Sequence, residues 1–239
     1  MTRDFTTWHF GVLLMGATLF ATLLFGDPEA VAIIARQEGL IEDLTALFYF
    51  FGAAASLIAI YHRKFVIVAG LWLALCILFL GEETSWFQRF FNYHVLAVEN
   101  ISGQKEFNLH NLNFWDWQEF IGEDGRFRFS FGKLLGAQAI FRIGFFSYFL
   151  ALPLLLLNSR IARFAARFEI PPMPAGFLAA IWTVVIASFI LTLNTEGPLR
   201  DMISETREFF YAIVIFLYTL LFFEQTTGAD TAEQAPRGA

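Results

Sequence analysis

Six apolar stretches, separated by short charged connectors and one long aromatic one, set the plan of the chain. They cover 8–26, 41–61, 65–80, 137–157, 175–194 and 209–223, each near the ~20 residues that a helix needs to cross a bilayer. The last is short and gains length by beginning at Arg207 or one turn earlier. The pattern predicts an all-α polytopic bundle of about six transmembrane helices, forming a single domain over 1–223. Residues 82–136 form its outer loop, and a polar tail over 224–239 is expected to be disordered. The first run also fits a signal peptide, since Ala30-Val31-Ala32 has the small-x-small form of a cleavage site. Asp27, Pro28 and Glu29 interrupt that pattern and favour an uncleaved helix.

Composition agrees with this plan. Hydrophobic residues make up 57% of the chain and charged ones 16%, a balance far from that of a soluble domain. The net charge of −6 comes with no basic stripe, which argues against nucleic acid as a partner. Cys76, the single cysteine, sits within an apolar run, so no disulfide framework or thiolate cluster is available. It reads as a small buried hydrophobe.

Charge distribution orients the spans, because Lys and Arg concentrate in short cytoplasmic loops. The connector His62-Arg63-Lys64 and the one holding Arg160, Arg163 and Arg167 belong inside, which places both termini in the cytoplasm. The opposite connectors are acid-rich. Three carboxylate groups distant in sequence therefore reach one membrane level: Glu42 and Asp43 opening the second span, Glu82 and Glu83 closing the third, Glu205 and Glu208 opening the sixth. Glu205 and Glu208 share a helical face that Tyr211 continues, and Glu42, Thr45 and Tyr49 form a comparable line. Below that line, Gly52-Ala53-Ala54-Ala55-Ser56 would let a neighbouring helix approach closely. Glu82, Trp86 and Arg89 align if the third helix continues.

The outer connector is too aromatic for a plain solvated loop. Trp86, Phe87, Phe90, Phe91 and Tyr93 precede its polar centre, and Phe114, Trp115, Trp117 and Phe120 follow it. Trp and Tyr favour the headgroup region, so two interfacial amphipathic helices are expected, over 85–98 and 112–121, as a roof above the acids. The Ser102-Gly103 region is the turn between them. Farther on, Arg126-Phe127-Arg128-Phe129 is suited to lipid phosphates.

Within this connector His110 follows Glu106 by four residues, a spacing that stacks the two side chains on one face of a helix. Imidazole with Glu83, Glu106, Glu205 and Glu208 is a donor set for zinc, iron or manganese. Glu82, Glu83 and His110 are then the candidates for acid–base work on an ester, amide or phosphoester presented by a lipid. The plainer alternative is structural. Arg89, Arg142, Arg200 and Arg207 stand at the same level and would pair with Glu42, Asp43 and the other acids, locking helices together without chemistry. Asn108, Asn111 and Asn113 suit backbone caps, and His94 suits an interfacial ring with a wet edge.

The segment Glu82-Glu83-Thr84-Ser85-Trp86-Phe87-Gln88-Arg89, followed by Asn108-Leu109-His110-Asn111, resembles the signature of a group of bacterial integral membrane proteins. These carry a Glu-Glu-x-Ser-Trp-x-Gln-Arg segment and an Asn-Leu-His-Asn segment. The resemblance implies a membrane fold and a shared polar site, and names no substrate; for a bacterial chain of this kind the expected location is the cell inner membrane. A looser similarity is to alkaline-ceramidase-like membrane hydrolases, which hold a zinc among helix ends near one leaflet. This chain lacks their paired histidines on a final helix. Two function classes lead: an enzyme acting on a lipid or lipid-linked substrate, and a non-enzymatic membrane subunit or assembly factor that binds a membrane protein partner. A transporter ranks third, because no internal repeat is visible and only Thr183, Ser188 and Thr192 lie at depth in the fifth span.

Overall fold

The computed structural model describes residues 16, 39–63, 65–102, 107, 137–171, 173–196 and 198–233. Among them every regular element is helical. The chain divides into two compact units, one from 1–77 and 165–239, the other from 78–164.

The first unit contains α1 (Leu40–Tyr61), the larger part of α2 (Val66–Glu83), α8 (Ala175–Leu193) and α9 (Pro198–Glu233). α1, α2 and α8 are long and apolar enough to cross a membrane. Their bounds lie close to the expected runs, except that α2 extends past Leu80 to put Glu82 and Glu83 on its last turn. Of the first expected span only Gly16 is described, and a Cβ there would meet the Phe210 ring at 3.6 Å.

α9 is the hub of this unit. From Phe209 to Phe222 nearly every side chain is buried, whichever way it points, with Tyr218 and Phe222 at zero exposure. α1 packs along it through one face made of Ile41, Thr45, Tyr49, Gly52, Ser56 and Ala59, recurring every three or four residues. The small residues expected to admit a neighbouring helix do so. A Cβ on Gly52 would stand 2.9 Å from Cys76 Sγ and 3.7 Å from Phe216 Cα. Phe48 fills the space beside this contact, its ring centroid 5.6 Å from Phe209 and 5.5 Å from Phe216. On the other side Trp72 meets Tyr218 edge-on at 5.7 Å. The outward face of α1 exposes Leu47, Phe50, Leu57 and Ile58, an apolar exterior that water would not favour.

α9 also runs much farther than its apolar stretch. It starts at Pro198, whose ring suits a first helical turn, and continues to Glu233 through most of the segment expected to be disordered. At about 1.5 Å per residue such a helix is well over the ~30 Å of a hydrocarbon core.

The second unit holds the end of α2, α3 (Gln88–Phe91), α4 (Leu96–Glu99), α5 (Ala137–Phe146), α6 (Leu152–Leu155) and most of α7 (Ser159–Ala165). α5 and α6 are one helical path joined by a π-turn over Ser147–Ala151, in which Leu152 N–H donates to Ser147 C=O. The cause lies in the sequence. Pro153 has no N–H to give Phe149 C=O, so the α-register fails there and the wider turn takes over. The basic connector after this path is itself helical as α7, with Arg160 and Arg163 exposed.

Candidate functional site

The expected amphipathic helix over 85–98 is absent as a single element. After Thr84, whose hydroxyl donates back to Leu80 C=O at 2.7 Å, three consecutive residues are left-handed: Ser85 at φ 47°, Trp86 at 53° and Phe87 at 66°. None is glycine, and such a conformation costs about 1–2 kcal/mol for each residue. The turn ends α2, so Glu82 and Trp86 meet across it and not along a continuing helix. α3 and α4 are two short pieces separated by Asn92, also left-handed.

Side-chain contacts explain why the strain persists. The turn swings the Trp86 indole back over Gly81, where a Cβ would come within 2.8–3.0 Å of indole Cδ2, Cε2 and Cε3. From that position indole Nε1–H donates to Glu82 Oε1 at 2.9 Å. Tyr93 hydroxyl donates to the Trp86 carbonyl at 2.6 Å. Gln88 then works in both directions, its Nε2 donating to Glu99 Oε1 at 3.0 Å and its Oε1 accepting Phe107 N–H at 2.8 Å. His94, exposed as expected of a ring with a wet edge, has Nδ1 2.9 Å from the same Glu99 oxygen. Gln88, Glu99 and Tyr93 were not singled out as functional candidates. Gln88 stands in the Glu-Glu-x-Ser-Trp-x-Gln-Arg segment and Tyr93 in the aromatic run, while nothing local marks Glu99.

Of the expected metal ligands, Glu83 is half-buried on the last turn of α2, next to Glu82. Glu106 and His110, on which the metal set depends, lie outside the described residues, as do the second interfacial helix over 112–121 and the side chain of Arg89. Among the described residues no three His, Cys, Asp or Glu side chains are grouped for a metal ion.

The remaining acids belong to the first unit. Glu42 and Asp43 occupy the first turn of α1, where carboxylates oppose the helix dipole favourably. On the proposed polar line above α9, Thr45 is buried and its hydroxyl donates to Ile41 C=O at 2.8 Å. Glu205 and Glu208 are half-buried, whereas Arg207, between them in sequence, is 3% exposed. Its guanidinium donates to Thr192 Oγ1 at 3.3 Å and to Ser204 Oγ at 3.1 Å, and lies 4.8 Å over the Phe189 ring. Thr192 in turn donates to Ser188 C=O at 2.8 Å. Arg207 thus ties α9 to α8 through the Thr192 hydroxyl and the Phe189 ring face, with Ser204 of its own helix steadying the guanidinium. Arg142, on α5 in the second unit, is half-buried.

Comparison with protein-family models, with curated proteins and with solved structures finds no match for this chain. Its functional reading therefore rests on these residues.

Proposed function

We propose that the chain is a six-span integral protein of a bacterial inner membrane, with both termini cytoplasmic and the connector after α2 outside. In this reading the connector is the centre of a metal-assisted hydrolase or transferase acting on a lipid or lipid-linked substrate. Glu106 and His110 provide the metal-binding pair, completed by Glu83 and by Glu205 or Glu208. Whichever of Glu82 and Glu83 does not hold the metal supplies the general base, and His110 acts there as a ligand. A divalent transition metal such as zinc, iron or manganese supplies Lewis acidity at such a centre.

The observation that carries the proposal is the left-handed turn of Ser85, Trp86 and Phe87 directly after the two carboxylates. Strain of this kind survives only where surrounding contacts over-determine it, and it gathers at functional sites. Here the indole pins Glu82 Oε1 at the point where α2 ends. Elemental analysis of protein purified without chelator tests the reading. About one divalent transition metal per chain is expected in the parent, falling sharply in His110→Ala because binding depends on each ligand.

A metal-free parent would favour the second reading, a non-enzymatic membrane subunit or assembly factor whose charges are structural. Arg207 speaks for that reading, since its contacts to Thr192 and Phe189 bind two helices together.

A further inference from the structure

At the end of α2 three aromatic rings meet, and each is held by a polar contact of its own. Trp86 is fixed by its bond to Glu82 and by Gly81 beneath it. Tyr93 is fixed by its hydroxyl on the Trp86 carbonyl, and Phe107 by its N–H on Gln88. Phe107 stands between the other two. Its centroid is 6.3 Å from Trp86 at an interplanar angle of 70°, and 6.5 Å from Tyr93 at 64°. All three residues remain partly exposed.

Phe107 thus meets each of the other two rings edge-on, at a steep angle, instead of stacking face on face. The indole face away from Gly81 is the one left to a ligand. Each face carries the negative lobe of an aromatic quadrupole, which attracts cations, above all weakly hydrated ones. Carboxylates stand near this aromatic corner: Glu82 at the Nε1 edge of the indole, and Glu99 beyond Gln88, where it also meets His94 Nδ1. The corner also follows directly on the apolar run of α2, at the level where Trp and Tyr sit among lipid headgroups. A strained backbone is retained to hold it.

We infer that the corner formed by Trp86, Tyr93 and Phe107 binds the quaternary ammonium of a choline-type phospholipid headgroup. The inference rests on the lipid-directed reading above and names the part of the lipid recognised. Ring faces suit a trimethylammonium because it offers no N–H donors and gains nothing from hydrogen-bond acceptors. Glu82 and Glu99 provide the charge complement.

The test uses the full chain labelled with 5-fluorotryptophan in phosphatidylglycerol nanodiscs, observed by fluorine NMR. The chain has six tryptophans, and the Trp86 signal is assigned by its loss in Trp86→Phe. Tetramethylammonium chloride is expected to shift that signal to saturation, while sodium chloride at equal ionic strength leaves it in place. In phosphatidylcholine discs the signal is expected already at the shifted position and unresponsive to added tetramethylammonium. Tyr93→Ala and Phe107→Leu should each weaken the response by about tenfold, the order of one desolvated cation–π contact. The other tryptophan signals report whether these variants fold, and the parent titration decides alone if they do not. A shift that merely follows ionic strength overturns the proposal. So does saturation by tetramethylammonium without any change in phosphatidylcholine discs, which would leave a site for free cations only. Metal content is measured independently, so failure here and failure of the metalloenzyme reading are told apart.

Discussion

The indole of Trp86 reaches Glu82 by lying across Gly81, with Nε1–H 2.9 Å from Glu82 Oε1 and no room beneath the ring for a Cβ. Three residues that differ in size, charge and polarity thus depend on one missing methyl group. Gly81→Ala would drive carbon into the middle of a fused ring that is pinned from both ends. Overpacking of this kind costs about 1–3 kcal/mol, so a clear drop in detergent melting temperature is expected. Leu96→Ala, at an exposed position nearby, should melt like the parent. An unchanged melt for Gly81→Ala would mean that the indole is free to leave.

A second close approach holds the first unit together. The Cβ of a Gly52→Ala variant would sit 2.9 Å from Cys76 Sγ, with Thr219 Oγ1 at 3.6 Å and the backbone of α9 at 3.7 Å. Gly52→Ala is expected to destabilise by about 1–3 kcal/mol. Removing the sulfur should return part of that loss, because residues in contact couple by about 0.5–3 kcal/mol. Unfolding of Gly52→Ala, Cys76→Ala and the double variant measures the coupling. Strict additivity would show that α9, through Thr219 and Phe216, and not Cys76, is the limiting neighbour.

The small face of α1 was legible in the sequence because Gly52, Ala53 and Ser56 break an otherwise bulky run, and closeness needs small residues. The central place of α9 was not. Where every span is apolar all round, periodicity no longer separates a helix enclosed by protein from one facing hydrocarbon. The end of α2 was half legible. Aromatic density and two adjacent glutamates marked the segment, but nothing in Ser85-Trp86-Phe87 predicts left-handed backbone, a preference of glycine and asparagine. Tertiary contact decided it, and Gly81 was the one local sign. For Arg207, expected to pair with acids at its level, the further contacts were not legible: Thr192 comes from α8, whose Ser188 and Thr192 looked like minor polar residues at depth, and Ser204 from α9 itself.

Arg207 separates the structural role from the catalytic one. Thr192→Val keeps volume but withdraws an acceptor from a guanidinium that is 3% exposed. Leaving a charged donor short of a partner costs about 1.5–3 kcal/mol. Arg207→Lys loses the planar fork and the fit over Phe189 together, and should cost at least as much. Thermal melts of both variants check this, with metal content followed in parallel. Lower stability with unchanged metal content is the expected pattern. Parent-like melts in both variants would show that the α8–α9 contact carries little of the fold.

Topology is the remaining prediction, and the structure changes how it is tested. Loop charges predict that 82–136 lies outside and the Arg160–Arg163 connector inside. Ser102, in the turn expected between the interfacial helices, would be the natural reporter for the outer loop, but it is only 5% exposed and a thiol there would be shielded. Asn100, two residues earlier, is exposed at the end of α4. In a Cys76→Ala background, Asn100→Cys should react with a membrane-impermeant maleimide added to intact cells. Ser159→Cys, exposed at the start of α7, should react only after the membrane is opened. Because both positions are exposed, neither result can be attributed to burial. Reversed labelling would turn the carboxylate face toward the cytoplasm and move any lipid substrate to the inner leaflet.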